Sequence, residues 1–494
     1  MARSIHFTDV TLRDGQQSLA ATRMASPQAM RVLSMIDRAG YWAMELWGGA
    51  TLDSCVRFVH EDPFERLEKF RDTLGGPRKV QALLRGQNLF GYQPYPDDLV
   101  IAFVKQAVAS GVGIMRIFDA LNDFRNVQLP MLAVKAYGAK AEAALSYTTS
   151  PVHTTEYFVR YAQLLEEHGA DRLGIKDMSG ILEPAACRDL VRGLKQAIKL
   201  PIALHTHTTT GVALLNSVIG MLEGVDSIDC AITPFAGGSS HAPVEVLVVF
   251  AEALGLEHGL DKPLLLKIQH ELFGIFEELK KFIPYAGKFY RPVDFADVDR
   301  KKIDRVLTLV QSGQREDLDR ALPLTREILA DLKYPSYDDK IFSSQIPGGM
   351  YTNLVNQLKE MGRPEILAQT LEEVPRVRAD VGYVPLVTPT SQIVGSQAAF
   401  NVIFGARYGF ASNEFKMLLR GEFGRTPAPC NPEIVRQVLG EDVQPLAYRP
   451  AAYLLPVLED PCDLPYVRTH KDRLLHHMLG QAADGFLKQK YGVA

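Results

Sequence analysis

The sequence predicts an α/β fold in which a (β/α)8 barrel, or TIM barrel, is followed by a mainly helical, funnel-like second domain. Up to about residue 260, eight short apolar stretches alternate with amphipathic stretches of helical periodicity. Eight strands that alternate with helices favour a closed barrel over an open doubly wound sheet. No glycine-rich dinucleotide or P-loop motif follows the first strand, which also counts against the open-sheet nucleotide-binding folds.

The predicted barrel strands are short apolar runs that lead into polar or glycine-containing loops, as buried parallel strands do. In chain order they are Ile5–Leu12, Ala43–Trp47, Val80–Leu84, Met115–Phe118, Ala143–Tyr147, Arg172–Ile175, Ile202–Leu204 and Ser227–Ile232. The intervening helices have apolar residues at helical spacing. They include Pro27–Arg38, Asp98–Ala109, Thr155–Glu167 and Glu183–Ala197.

After Pro243 the alternation stops, and longer helices are predicted. The charged segment Asp297–Lys333 is expected to form two helices broken near Leu322 and Pro323. We expect this segment to lengthen the funnel; docking of a partner is the alternative. The other predicted helices are Val244–Leu254, Leu264–Phe282, Tyr351–Met361 and Pro364–Glu373, followed by helical sequence with proline-rich breaks. We therefore expect a catalytic barrel at residues 1–299 and a helical domain at residues 300–494 that completes the active site.

Size and composition narrow the class of protein. The 494 residues exceed a single compact core, which favours two domains. The net charge of −4 gives no electrostatic support for nucleic-acid binding. No apolar run reaches membrane-spanning length and the first residues lack a signal-peptide core, so we expect a cytoplasmic protein that does not span a membrane. The five scattered cysteines, without C-x-x-C spacing, are interpreted as reduced packing residues.

Two histidines follow the seventh predicted strand, in the run from Pro201 to Gly211. Residues two apart on a strand point to the same side, so His205 and His207 direct two imidazoles toward one point, as a divalent metal site needs. Alternatively, they are hydrogen-bonded polar residues at a strand end. Chemistry in a (β/α)8 barrel lies where strands run into the following loops. Polar residues follow all eight predicted strands, and this ring favours a site.

Asp14 and Lys176 follow the first and sixth predicted strands. The Asp14 carboxylate suits a hard cation, although it could instead cap the next helix or pair with Arg13. A Lys176 ammonium would be repelled by a divalent ion, so it must point away, lose its proton or change chemically. Reaction of the neutral amine with CO2 gives a carbamate, which is a carboxylate-like ligand. Pairing with Asp177 is the alternative; the ring of candidate ligands favours the carbamate.

A set of stretches spread in collinear order over nearly the whole chain carries a resemblance to a known family. They are Thr11–Thr22, Met44–Arg66, Leu83–Tyr92, Arg116–Arg125, Tyr147–Thr154, Ile175–Met178, Leu204–Gly211, Ser344–Met350, Glu373–Arg378 and Val387–Gly395. They resemble the biotin-dependent carboxyltransferases that act on 2-oxo acids. That family comprises the carboxyltransferase domains and carboxyltransferase subunits of pyruvate carboxylases, the oxaloacetate decarboxylase alpha subunit and the pyruvate-side subunit of transcarboxylase.

The resemblance implies a TIM barrel capped by a helical funnel, with Zn²⁺, Co²⁺ or Mn²⁺ held by matching residues. Those residues are Asp14, carbamylated Lys176, His205 and His207. It also implies that the chain moves a carboxyl group between carboxybiotin and pyruvate or oxaloacetate through an enolpyruvate.

Other positions are assigned by the same resemblance. Gln17 and Arg85 match residues that hold the 2-oxo acid, and a guanidinium suits a carboxylate or a developing enolate oxygen. A structural ion pair of Arg85 with Glu45 or Asp119 is the alternative. Thr388 matches the proton shuttle between the substrate methyl group and biotin; its alternative is a turn before Pro389. Tyr147 and His241 lie in matching loops with less definite roles, and we place Tyr147 in the substrate site.

The resemblance also predicts partners. The Ala-Met-Lys-Met biotinylation motif of many relatives is absent, and the superficial match at Glu414–Leu418 lies in a predicted helix. We therefore expect biotin to arrive as carboxybiotin on a separate biotinyl carrier protein. Biotin carboxylase or another carboxyltransferase or decarboxylase subunit is a further expected partner, and we expect the chain itself to form a homodimer.

Two other functions compete with this interpretation. The motif from Arg13 to Gly15 and the histidine pair also resemble metal-dependent lyases and synthases of the isopropylmalate synthase and HMG-CoA lyase type. Those enzymes usually have Asn or Asp after the second histidine, where this chain has Thr208, and they lack the metal-bound lysine. An assembly scaffold that only docks the carrier is the third hypothesis, against which the joint presence of the candidate site residues argues.

Overall fold

The structure is a computed structural model that describes residues 3–283, 287–288, 290–337, 354, 358–359, 362–459 and 461–493. The matching stretch Ser344–Met350 and most of the predicted helix Tyr351–Met361 lie outside the described residues. Within the described part of the chain, no helix has both the length and the apolar character needed to cross a membrane.

Eight parallel strands form a closed barrel in which each strand pairs with the next and the eighth pairs with the first. The predicted α/β fold, a TIM barrel with a helical second domain, is confirmed. The strands are β1 His6–Asp9, β2 Ala43–Gly48, β3 Val80–Leu84, β4 Ile114–Phe118, β5 Lys140–Ser146, β6 Arg172–Asp177, β7 Ile202–Thr206 and β8 Ser227–Cys230.

The first strand is shorter than predicted, since it ends at Asp9 and not at Leu12. The backbone turns into a helical loop there, because the Gly15 N–H donates to the Val10 carbonyl at 2.9 Å. The Thr11 hydroxyl donates to Asp9 at 2.5 Å and holds the start of the turn. This early turn brings Asp14 back over the barrel mouth.

Helices surround the barrel and bury their apolar faces against the strands. Several begin at side-chain caps, as when Asp62 accepts hydrogen bonds from two N–H groups of the following helix. The barrel helices are α1 Gln16–Ala20, α2 Ser26–Arg38, α3 Thr51–Ser54, α4 Pro63–Thr73, α5 Asp97–Ser110, α6 Phe124–Ala136, α7 Thr155–Glu167, α8 Pro184–Ala197, α9 Ala213–Glu223, α10 Val244–Ala253 and α11 Lys262–Leu279.

The charged segment forms two helices, α12 Arg300–Gln311 and α13 Arg315–Asp331, but the predicted break near Leu322 and Pro323 is wrong. The break falls at Gly313, whose positive φ of 74° ends α12. Pro323 lies inside α13, where it removes one backbone hydrogen bond while the buried residues on either side keep the helix packed.

Both helices lie on the outer wall of the barrel. The side chains of Ile303, Val306 and Ile328 belong to the same apolar core as the barrel helices. Arg188 of α8 donates to the Gly313 carbonyl at 2.7 Å, and Arg326 donates to the Thr210 carbonyl at 2.6 Å. The segment therefore thickens the barrel wall next to α8, α9 and α10, and the expectation that it lengthens the funnel is wrong.

The helical domain has a second apolar core built from four helices and the barrel residue Leu121. The helices are α14 Leu367–Asp380, α15 Thr390–Ile403, α16 Asn413–Leu419 and α17 Pro432–Leu439. The superficial biotinylation match lies in α16, as predicted. The last helices, α18 His470–Leu479 and α19 Gln481–Tyr491, pack back on the barrel, where Tyr95 donates to the Met478 carbonyl at 2.7 Å. The domain boundary at residue 299 stays a prediction.

Contacts at the barrel mouth fix the helical domain over the strand ends. Val387, which precedes α15, packs in one apolar cluster with Leu83 of β3 and Phe118 of β4. Arg378 of α14 donates to the Thr148 hydroxyl at 2.8 Å. These contacts bring Thr388 to the mouth of the barrel.

Candidate metal centre at the barrel mouth

Three imidazoles converge on the Asp14 carboxylate at the barrel mouth. The Nε2 atoms of His205, His207 and His241 lie 3.5, 3.6 and 3.5 Å from Asp14 Oδ2. All four residues are buried, and one ligand atom from each lies within 4.8 Å of the others. His205 and His207 do face the same point, as their two-residue spacing predicts.

The Nδ1 atoms of the three rings fix which nitrogen faces Asp14. His205 Nδ1 lies 2.8 Å from the Asp229 carboxylate, His207 Nδ1 lies 2.7 Å from the Ser239 carbonyl and His241 Nδ1 lies 3.1 Å from the Thr206 carbonyl. Carbonyl and carboxylate oxygens only accept, so each Nδ1 carries the proton and each Nε2 presents a lone pair. This arrangement is typical of metal-binding histidines.

The residues present fit a divalent cation. Four ligands placed tetrahedrally at about 2.1 Å from a zinc ion lie about 3.4 Å from one another. The three distances to Asp14 match that spacing. Among the described residues, the Nε2 atoms of His207 and His241 have no hydrogen-bond partner. Lone pairs that face a carboxylate oxygen repel it, and a divalent cation converts this repulsion into coordination.

Asp14 is held as an anion. Burial raises the pKa of its carboxyl, but the Arg13 guanidinium outweighs burial and helps to hold the pKa well below its usual range. Arg13 donates to Asp14 Oδ2 at 2.8 Å, and Ser18 donates to Oδ1 at 3.0 Å. Asp14 therefore also forms the ion pair with Arg13 that was the alternative to metal binding. This ion pair orients the carboxylate toward the imidazoles.

Lys176 lies beside this cluster and does not pair with Asp177. Its Nζ is 3.4 Å from His205 Nε2, and the two residues are register partners on β6 and β7. Asp177 faces the other way and accepts hydrogen bonds from Thr206 and from the Ile181 N–H, both at 2.9 Å. Burial lowers the pKa of Lys176 to about 8, although Asp14 acts in the opposite direction.

A buried ionic network lies directly beneath the cluster. Arg116, on β4, donates to Glu142 and Asp229 and is fully buried. Asp229 in turn accepts from His205, so the guanidinium is linked through one carboxylate to the imidazole. These hydrogen bonds fix the orientation of the His205 ring.

The predicted substrate residue Arg85 directly follows β3. Arg85 donates to the carbonyls of Phe90 at 2.6 Å and Gly91 at 3.2 Å, and in the described part of the chain no carboxylate lies within ion-pair distance of it. The alternative ion pair of Arg85 with Glu45 or Asp119 is therefore wrong.

Two further predicted substrate residues, Gln17 and Tyr147, follow β1 and β5. Gln17 accepts a hydrogen bond from the Ala50 N–H at 3.1 Å. The ring of Tyr147 stacks on Phe158 with centroids 5.3 Å apart, and its N–H donates to the Lys176 carbonyl at 2.9 Å.

Thr388 adjoins an apolar contact between the helical domain and the barrel. It is half-buried and follows Val387, whose cluster includes Phe118. The Phe118 ring lies 5.2 Å from Lys176 Nζ. The structure thus places Val387 of the helical domain on the apolar cluster that borders Lys176.

Sequence comparison identifies the family. The chain is 39% identical over 488 residues to the B subunit of pyruvate carboxylase from Methanocaldococcus jannaschii, covering 98% of this chain and 78% of that protein. The chain belongs to the biotin-dependent 2-oxo acid carboxyltransferase family. It is also 38% identical over 462 residues to the methylmalonyl-CoA carboxyltransferase 5S subunit of Propionibacterium freudenreichii subsp. shermanii, covering 92% of this chain and 81% of that one. The predicted family and enzyme class are confirmed.

Family models and solved structures agree with this assignment to the carboxyltransferase family. Residues 341–492 match the conserved carboxylase domain, and residues 105–271 match the HMGL-like model. The carboxyl transferase domain of Rhizobium etli pyruvate carboxylase with pyruvate superimposes with a TM-score of 0.79 at 27% identity, covering 99% of this chain and 78% of that one. The same domain with pyruvate and biocytin gives a TM-score of 0.79 at 26% identity and the same coverage.

Three residues of this carboxyltransferase site were not assigned to it from the sequence. The sequence places His241 only in a matching loop and does not single out Asp229 or Arg116. Both charged residues interrupt apolar strands, β8 and β4, at positions that face the barrel interior. A charged residue within a buried strand is the signal that points to them, because such a charge needs a partner inside the barrel.

Proposed function

We propose that this carboxyltransferase moves a carboxyl group between carboxybiotin, carried on a separate biotinyl protein, and pyruvate, so that pyruvate and oxaloacetate are interconverted. The strongest support is the buried cluster of three imidazoles and a carboxylate beside Lys176, under the segment that carries Thr388. The relatives support the substrates: two are B subunits of pyruvate carboxylases, and the matching solved domains hold pyruvate, in one case with biocytin.

The proposed ligand set for Zn²⁺, Co²⁺ or Mn²⁺ includes Asp14, His205, His207 and carbamylated Lys176. The position of Lys176 beside His205, with Asp177 engaged elsewhere, supports the carbamate. When bound, the ion would supply positive charge that stabilises the enolate form of the substrate.

The side chains of this chain perform the remaining steps. Arg85 and Gln17 hold the 2-oxo acid, and the Arg85 guanidinium also stabilises the developing enolate oxygen. The Thr388 hydroxyl takes a proton from the pyruvate methyl group while it gives its own proton to the biotin ring nitrogen. The C–N bond of carboxybiotin breaks to release CO2, and the enolate carbon bonds to CO2 to form oxaloacetate. In net terms one proton passes from the pyruvate methyl group to biotin and the Thr388 hydroxyl is regenerated, and the reverse sequence decarboxylates oxaloacetate.

The partners follow from this chemistry. A biotinyl carrier must reach the barrel mouth, and a biotin carboxylase or another carboxyltransferase or decarboxylase subunit must load or unload it. The relatives named as subunits support such a complex. We propose a homodimer in the cytoplasm; the five free cysteines suit a reducing compartment.

A lyase or synthase of the HMG-CoA lyase type shares only part of these features. The HMGL-like match at residues 105–271 lies within the barrel, whereas the conserved carboxylase domain matches the helical residues 341–492. Similarity to carboxylase subunits over nearly the whole chain therefore favours carboxyl transfer.

The test is transfer of label from a carrier carboxylated with ¹⁴C-bicarbonate. The chain is mixed with this carrier and pyruvate, and the product is trapped as malate with malate dehydrogenase. We expect label in malate, a loss of about 100-fold or more in Lys176→Ala, and no change in the surface variant Lys195→Ala.

Three results would contradict the proposal. Label transferred to 2-oxoglutarate and not to pyruvate would mean that 2-oxoglutarate is the carboxyl acceptor, as the name of the relative 2-oxoglutarate carboxylase large subunit suggests for that protein. No transfer to either acid would reject the reaction. Full activity in Lys176→Ala would favour a scaffold or a mechanism without this lysine.

A further inference from the structure

His241 lies in the metal cluster although the family resemblance gives it no definite role there. Its backbone is fixed by pairing with the residues around it: the Gly237 N–H donates to the His241 carbonyl at 2.8 Å, and His207 and His241 form an isolated antiparallel bridge. The loop between β8 and α10 therefore presents this side chain at a fixed place.

The side chain is fully buried and surrounded by the cluster. Its ring centroid lies 4.4 Å from that of His205 and 4.2 Å from that of His207. Nε2 is 3.5 Å from Asp14 Oδ2 and has no hydrogen-bond partner among the described residues. His241 Nδ1 donates a hydrogen bond to the Thr206 carbonyl, so Nε2 carries the free lone pair and points at the Asp14 carboxylate.

A purely structural histidine would not adopt this arrangement. A buried acceptor that faces another acceptor loses the hydrogen bond it would make in water, and this loss destabilises the fold. His207 stands in the same relation to Asp14, at nearly the same distance. Two equivalent imidazoles on one carboxylate oxygen are accounted for together if both coordinate one cation.

We propose that His241 binds the metal ion directly, so that three imidazoles and Asp14 hold the ion before Lys176 contributes. This inference rests on the proposed metal centre and extends its ligand set. It follows that metal binding does not depend on the carbamate: Lys176→Ala keeps the ion even though it loses carboxyl transfer.

The test counts the imidazole ligands in the cobalt-loaded chain. Each coordinated ring that keeps Nδ1–H gives one solvent-exchangeable proton signal shifted by the paramagnetic ion. We expect three such signals in the unaltered protein, two in His241→Gln and three in His153→Gln, a buried histidine outside the cluster. In parallel, we expect the dissociation constant for Zn²⁺ to rise about tenfold or more in His241→Gln.

The outcomes separate this inference from the proposed function. Two shifted signals in the unaltered protein would overturn the role of His241 and leave the metal centre intact, whether or not the variant folds. Loss of the ion from Lys176→Ala would overturn the claim that the carbamate is dispensable for binding. No bound cobalt in the unaltered protein would reject the metal centre and the proposed function with it.

Discussion

Replacement of Asp229 by asparagine should weaken the metal site without touching any proposed ligand. Asp229 accepts from His205 Nδ1 at 2.8 Å and from Arg116 Nη2 at 3.0 Å, and it is fully buried. The amide keeps the shape but removes the negative charge that fixes the ring and its tautomer. Loss of such an outer partner weakens metal binding about 10- to 100-fold, or about 1.4–2.7 kcal/mol of binding free energy.

The same change should also lower stability. Removing one partner of a buried ion pair costs about 3–5 kcal/mol. Arg116 keeps Glu142 at short range and Glu45 at 3.7 Å, so we expect a loss near the lower end, about 3 kcal/mol. The control is Asp331→Asn, which removes a surface pair with Lys302 and should cost about 0–1 kcal/mol.

Two measurements on Asp229→Asn separate these effects. Competition with a chromophoric chelator gives the dissociation constant for Zn²⁺, and guanidinium unfolding of the metal-free protein gives the change in stability. A zinc dissociation constant within twofold of the unaltered protein, in a folded Asp229→Asn, would refute the claim that Asp229 positions His205.

Three other variants test the site and the contact between the helical domain and the barrel. Thr388→Ala should lower the rate of carboxyl transfer about 10²- to 10⁴-fold while zinc content stays unchanged, because the proton shuttle is lost. Thr388→Ser keeps a hydroxyl and should restore activity. Equal rates in both variants would contradict the shuttle. Arg85→Lys should raise KM for pyruvate about tenfold or more in steady-state assays, because an ammonium cannot replace the paired donors of the guanidinium; an unchanged KM would remove Arg85 from the substrate site. Gly424→Ala should lower the midpoint of thermal unfolding more than Gly440→Ala does. Both glycines have positive φ, but only a Cβ at Gly424 would meet Asn126 Nδ2, at 2.7 Å, and equal midpoints would show that this contact does not matter.

The barrel and part of the metal cluster could be predicted because they follow from strand geometry. The two-residue spacing of His205 and His207 fixes their common side, and the rule that strand ends meet at one mouth brings in Asp14. The same alternation separates Lys176 from Asp177, since neighbouring residues on a strand face opposite sides.

Other features depend on contacts that the local sequence does not contain. His241 lies in a loop, so no strand period places it, and only the fold shows that this loop returns to β7. Pro323 suggested a helix end, yet tertiary packing keeps α13 intact and Gly313 ends the preceding helix. Asp229 was missed because its partner Arg116 lies on a distant strand of the barrel.

Crystallography of the protein grown with Co²⁺ and bicarbonate tests the central claim most directly. Data collected at the cobalt absorption edge should show one anomalous peak between Asp14, His205 and His207, with His241 in contact and added density on Lys176 Nζ. No anomalous peak at these residues, together with a bare Lys176 amine turned away from His205, would contradict the account.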